Sequence, residues 1–203
     1  MAGCTARQTP AMAPRAEQHL PAIAPRAAQV VFRRASSPCD SSDHAIVVDE
    51  TGQFLGTLAP DTAFAVNTTP GRHAYSVWPG MDLRQEKDPS FRPVGVLEAS
   101  LKPNEHRAVD VAVVLPREGR GHCQSYAVFY FEKTNGSSSL EGESMGSVRI
   151  MQPDAVAGQA YLREKKELSA AYFNMAHDIL DTRRAAKTEA DRRTQRLRDA
   201  NLQ

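Results

Sequence analysis

The feature that most constrains this chain is a run of short apolar segments between Val30 and Phe131, each closed off by turn residues. The segments are Val30–Phe32, Ala45–Val48, Phe54–Leu58, Ala63–Val66, His73–Trp78, Val94–Leu101, Ala108–Leu115 and Tyr126–Phe131. They are rich in β-branched and aromatic residues and too short to close helices. Their spacing predicts a mainly β fold, a single antiparallel β-sandwich of about seven or eight strands. Asp49-Glu50-Thr51-Gly52 lies between two of them, with Asp49 able to cap the turn and Gly52 suited to positive φ, so residues 45–58 read as a hairpin. Gly56 allows close approach to the backbone, and Pro70-Gly71 reads as a type II turn that sets the register of His73–Trp78. His73, directly after that turn, reads as a packed or capping histidine. Phe129 and Phe131 share one face of their strand, and Tyr126, Val128 and Tyr130 the other. A strand apolar on both faces is expected to be covered twice, the second time by a helix.

The flanks have a different texture. Residues 1–27 contain Pro10, Pro14, Pro21 and Pro25 among Ala, Gln and Arg, and read as an extended tether outside the core. Residues 28–152 form the β domain, with a Gly- and Ser-rich linker over 134–147 and an expected edge strand at Val148–Met151. Residues 153–203 form a helical extension opened by Pro153, with no proline between Ala155 and Asn201. Leu168, Tyr172, Met175 and Ile179 recur at helical spacing, an apolar stripe that docks on the β domain or on another copy. From Asp181 on the stripe thins to Ala186, Ala190 and Leu197 among seven basic and four acidic residues, the pattern of a solvated helix or a frayed tail.

Catalytic and metal chemistry find little support. The six histidines form no ligand spacing; His122 and Cys123 are adjacent and point to opposite faces of a strand, so no metal and no cofactor is expected. Ser36, Ser37, Ser41 and Ser42 lie near Asp40, Asp43 and His44, which reads as turn chemistry, and no Gly-x-Ser-x-Gly occurs. The chain is expected not to be an enzyme. A formal net charge of +1 draws it to no nucleic acid, and no run of about 20 apolar residues is present to span a bilayer.

The start, Met1-Ala2-Gly3-Cys4, resembles the Leu-Ala-Gly-Cys box that ends bacterial lipoprotein signals. That resemblance implies that Cys4 is lipidated and that its acyl chains supply membrane affinity. Cys39 and Cys123 then remain as an even pair. In an oxidising periplasm their bond would close a loop of about 85 residues and stabilise the fold by about 4 kcal/mol, whereas in a cytosolic protein both stay free thiols. The expected location is the periplasm, anchored to the outer membrane; with Met1 as the true start it becomes the cytoplasm.

The stretch from Ala45 to Trp78 resembles the PEGA-type surface-layer module and related bacterial lipoprotein domains. The shared elements are Val48-Asp49, Leu55-Gly56, Phe64–Val66 and Pro70-Gly71-Arg72-His73. The resemblance implies a small sandwich akin to the carboxypeptidase regulatory domain, found in cell-envelope proteins and carrying no catalytic residues. Asn104-Glu105-His106-Arg107 stands where the family has Gly-Lys-x-Tyr-Tyr, and the helix after Pro153 lies outside the basic module. The expected function is that of a non-enzymatic envelope lipoprotein that binds an envelope protein or plays a structural part. The alternatives are a scaffold subunit that self-assembles through its C-terminal helix, and a cytosolic polyanion binder acting through the Arg-rich end.

Overall fold

The computed structural model describes residues 11–16, 19–34, 44–80, 94–113, 129–133 and 148–200. The chain order is β1 (Met12–Pro14), β2 (Ala28–Arg34), β3 (Ala45–Asp49), β4 (Phe54–Leu58), β5 (Thr62–Thr68), β6 (Gly71–Pro79), β7 (Gly95–Leu101), β8 (His106–Val113), β9 (Phe129–Lys133), β10 (Arg149–Pro153), α1 (Ala155–Glu164) and α2 (Lys166–Ala200). One sheet has the order β1-β10-β5-β2-β8-β9 and the other β4-β3-β6-β7. The protein is mainly β, with a long C-terminal helix.

The four-stranded sheet is antiparallel throughout, but the larger one is mixed: β10 runs parallel to β5, and β2 parallel to β8. This corrects the all-antiparallel expectation. Strands β3 to β7 intervene between β2 and β8, and so long a crossover can return the chain in the same direction. The parallel register sets Arg33 beside Asp110, whose two carboxylate oxygens both accept from the Arg33 guanidinium.

The two sheets share one core. Val30, Phe32, Phe64, Val109 and Val111 from the larger sheet join Val47, Leu58, Tyr75, Val77, Leu97 and Ala99 from the smaller. The Phe32 ring lies 5.4 Å from both Phe64 and Tyr75. Ile46, Val48, Ala74 and Trp78 alternate with these residues and point the other way, into a second cluster formed with the helices. The unbroken apolar run Ala45–Val48 therefore belongs to a strand buried on both faces.

The helices cover this second face. Asp154 caps α1, its side chain accepting from the Ala157 N–H at 2.9 Å. The single helix expected after Pro153 is broken at Lys165, where φ is −96° and ψ 37°. The layer expected over the Phe129–Phe131 strand instead lies on the other sheet, because the second apolar face there is made by β3, β6 and β7.

Three further expectations are corrected. Pro70-Gly71 sets no hairpin register, since β5 and β6 lie in different sheets; β6 takes its register from β3 and β7. The C-terminal strand β10 is interior, between β1 and β5. The described part of the presumed tether is fixed to the body. Met12–Pro14 pairs with β10, Met12 joins the core, and the Gln29 side chain donates to the Pro21 carbonyl at 2.8 Å. Proline is tolerated there because an edge strand needs only half of its backbone groups paired.

Candidate functional site

The seam between α2 and the small sheet takes up the residues whose spacing marked the helix. Tyr172 and Ile179 are buried, while Leu168 and Met175 pack half-buried against the same cluster. The Tyr172 ring lies 5.8 Å from Trp78 at an interplanar angle of 33°. These four side chains therefore contact their own chain. Leu162, Ala176 and Leu180 complete the buried face, and Phe173 packs against Gly52 in the hairpin turn. Leu180 stands beside the stripe in the sequence, and the signal for Ala176 was its position four residues after Tyr172 and three before Ile179.

Two glycines make the layers fit. A Cβ at Gly56 would lie 2.5 Å from the Phe64 ring, and one at Gly158 would lie 2.1 Å from Phe54 Cδ1. The first lets the sheets approach; the second lets α1 lie against β4, where Gln159 also accepts from the Phe54 N–H at 3.1 Å.

Past the seam, polar groups fasten α2 to the edge strand β7. Arg183 donates to the Val96 carbonyl at 2.6 Å, and Arg184 reaches Glu98 Oε1 at 3.0 Å, an oxygen also held by Arg72 at 2.9 Å. Burial works against ionisation of Glu98, but hydrogen bonds from Arg184 and Arg72 outweigh it and hold its carboxyl below the usual range. Lys187 and every later described residue to Ala200 are exposed.

A polar corner lies at the same end of β6, next to Arg72. Asp49 Oδ1 accepts from the Thr51 and Gln53 N–H groups, both at 2.9 Å, and Gly52 takes φ +81°. His73 Nε2 donates to the Thr69 carbonyl at 2.8 Å, and its Nδ1 lies 3.3 Å from Glu50 Oε1. Tyr75 stacks beside it, its hydroxyl pushed up to about 12 chiefly by burial, with the Glu50 and Asp49 charges adding to the shift and Thr68 and Arg107 opposing it. This corner therefore holds a turn and a strand end in place. Gly71, with φ 138°, opens β6 at a backbone angle that favours glycine.

A groove of about 390 Å³ runs between the hairpin turn and α1, lined by Thr51, Gly52, Phe54 and Gln159 among others. A cleft of about 110 Å³ lies between Tyr161, His44, Ile46 and Ala11. Among the described residues no three His, Cys, Asp or Glu side chains gather as a metal site, and no helix is long and apolar enough to cross a membrane. Cys4, Cys39, Cys123, His122 and the Ser36–Ser42 cluster lie outside the described residues. Comparison with protein-family models, curated proteins and solved structures finds no match for this chain.

Proposed function

We propose that this protein is a non-enzymatic module of the cell envelope, a single PEGA-like β-sandwich anchored through Cys4, that binds an envelope protein with the free end of α2. One observation carries the reading. Residues 187–200 are exposed throughout, although the helix before them is fixed to the sheet by Tyr172, Ile179, Arg183 and Arg184. A fold that needed α2 only as a cover would end it near Arg184. The helix instead continues for 16 residues, about 24 Å at 1.5 Å per residue. A rigid rod held at one end is suited to recognition, because its ordering has no further entropic cost on binding.

Self-assembly is the second reading, favoured by Ala186, Ala190 and Leu197, which carry the docked stripe onward at helical spacing. A concentration-independent monomer in sedimentation excludes it. Polyanion binding fits less well, since Glu189, Asp191 and Asp199 interleave with the basic residues and dilute any positive field.

The envelope assignment rests on Cys4 and is tested on the natural gene product. Radioactive palmitate should enter the wild-type protein and not Cys4→Ser, and only the wild type should sediment with membranes. An unlabelled, soluble wild-type protein would remove the anchor from the account.

A further inference from the structure

Docking of β1 changes what an anchor at Cys4 would do. A tether running freely to β2 would place 23 residues between Cys4 and Ala28, a reach of about 80 Å when extended. The chain is instead fixed at Ala11, Met12 and Arg15. The Ala11 carbonyl accepts from the Asp154 N–H at 2.8 Å, Met12 Sδ accepts from the Thr57 N–H at 3.3 Å, and the Arg15 N–H donates to the Ile150 carbonyl at 3.1 Å. Six residues separate Cys4 from Ala11, so covalent geometry limits the leash to about 25 Å.

The α1 face beside this attachment is mildly apolar, with exposed Asp154 at its start and Arg15 just past β1 as the charges at its border. From Ala155 to Leu162 α1 carries no charged side chain, and Val156 is 79% exposed. Ala13, Pro14, Ala157 and Ala160 are exposed with it. The Val156 side of α1 approaches a headgroup layer without stripping water from ions, and Asp154 and Arg15 stay at its rim. The far end of α2 leaves elsewhere: Ala11 and Met12 lie by β4, one edge of the small sheet, whereas Arg183 and Arg184 fasten α2 to β7, the other edge.

We propose that the β1–α1 edge of the domain is a bilayer-facing surface, held against lipid headgroups by the short leash from Cys4, with the end of α2 on the edge farther from the lipid. The proposal deepens the anchored reading and rests on it. The occupant is the bilayer, because the chain leading to the anchor ends at this edge.

The test separates this claim from native lipidation. A borrowed lipoprotein signal placed before Cys4 enforces acylation whatever the natural precursor does. The purified full chain is reconstituted in phosphatidylethanolamine–phosphatidylglycerol vesicles that carry an acceptor-dye lipid. A donor fluorophore is placed on an unnatural residue at Val156 or at Leu197, both exposed positions where a label disturbs no packing. Energy transfer from 156 should be about twice as efficient as from 197, the separation set by the leash and the helix length. Equal transfer from the two positions, or greater transfer from 197, overturns the proposed orientation even if palmitate labelling of the natural protein succeeds. Met12→Asp, which releases β1 and restores a long tether, should abolish the difference; its persistence in that variant would also count against the leash.

Discussion

The Tyr172 ring sits 5.8 Å from the ring of Trp78, and Trp78 is the only tryptophan in the chain. One contact thus joins the C-terminal helix to the sheet that carries it and also reports on the joint. Tyr172→Ala should cost about 3–4 kcal/mol and move the Trp78 emission to longer wavelength in the folded state, as expected for a large aromatic removed from a buried seam. Unchanged emission would mean that α2 does not cover Trp78 in solution.

Gly158 marks where α1 meets β4. A methyl group there would overlap the Phe54 ring, so Gly158→Ala should destabilise by about 1–3 kcal/mol although alanine is the better helix former. Pairing it with Phe54→Leu should recover part of that loss, and a double-mutant cycle on chemical denaturation measures the coupling. Additive single effects would contradict the contact.

The Glu98 cluster gives a pH dependence. The folded-state value of Glu98 is lowered, so its contribution is fully present above the ordinary value of 4.5 and is lost as pH falls through the lowered one. Glu98→Gln should therefore cost up to about 1 kcal/mol at pH 7, and the gap between variant and wild type should close as pH drops below 4. A gap that widens on acidification would reverse the sign and refute the Arg72–Glu98–Arg184 arrangement.

Much of the β body was legible before the structure. β-branched runs and the Asp49–Gly52 turn mark strands, and Asp49 does accept the turn N–H groups. Sequence periodicity failed where partners are distant. Nothing local to Ala28–Arg34 says that its neighbour is β8 in parallel, because that choice is made by closing the core around Phe32 and Phe64. The Pro-rich segment misled for a similar reason. Proline content argues for extended chain, and extended chain is also what an edge strand needs; the burial of Met12 and the pairing with β10 distinguish β1 from a tether. In the helix the stripe was readable, but the clamps from Arg183 and Arg184 were not, since arginines on a charged helix look the same whether solvated or bonded.

The exposed end of α2 should be dispensable for stability. Ending the chain after Arg184 should shift Tm by no more than about 2–3 °C, since no buried group is lost, while far-UV helicity falls with the missing residues. A drop of about 10 °C would show that this segment supports the fold.

The most direct test of the account is photo-crosslinking in living cells from benzoylphenylalanine placed at Ala190 or Leu197, beside a control at exposed Ala171 over the body of the fold. The account predicts a discrete higher-mass adduct from 190 and 197 and none from 171. Adducts of equal yield from all three positions, or none from the two distal ones, would contradict recognition by the free end of α2.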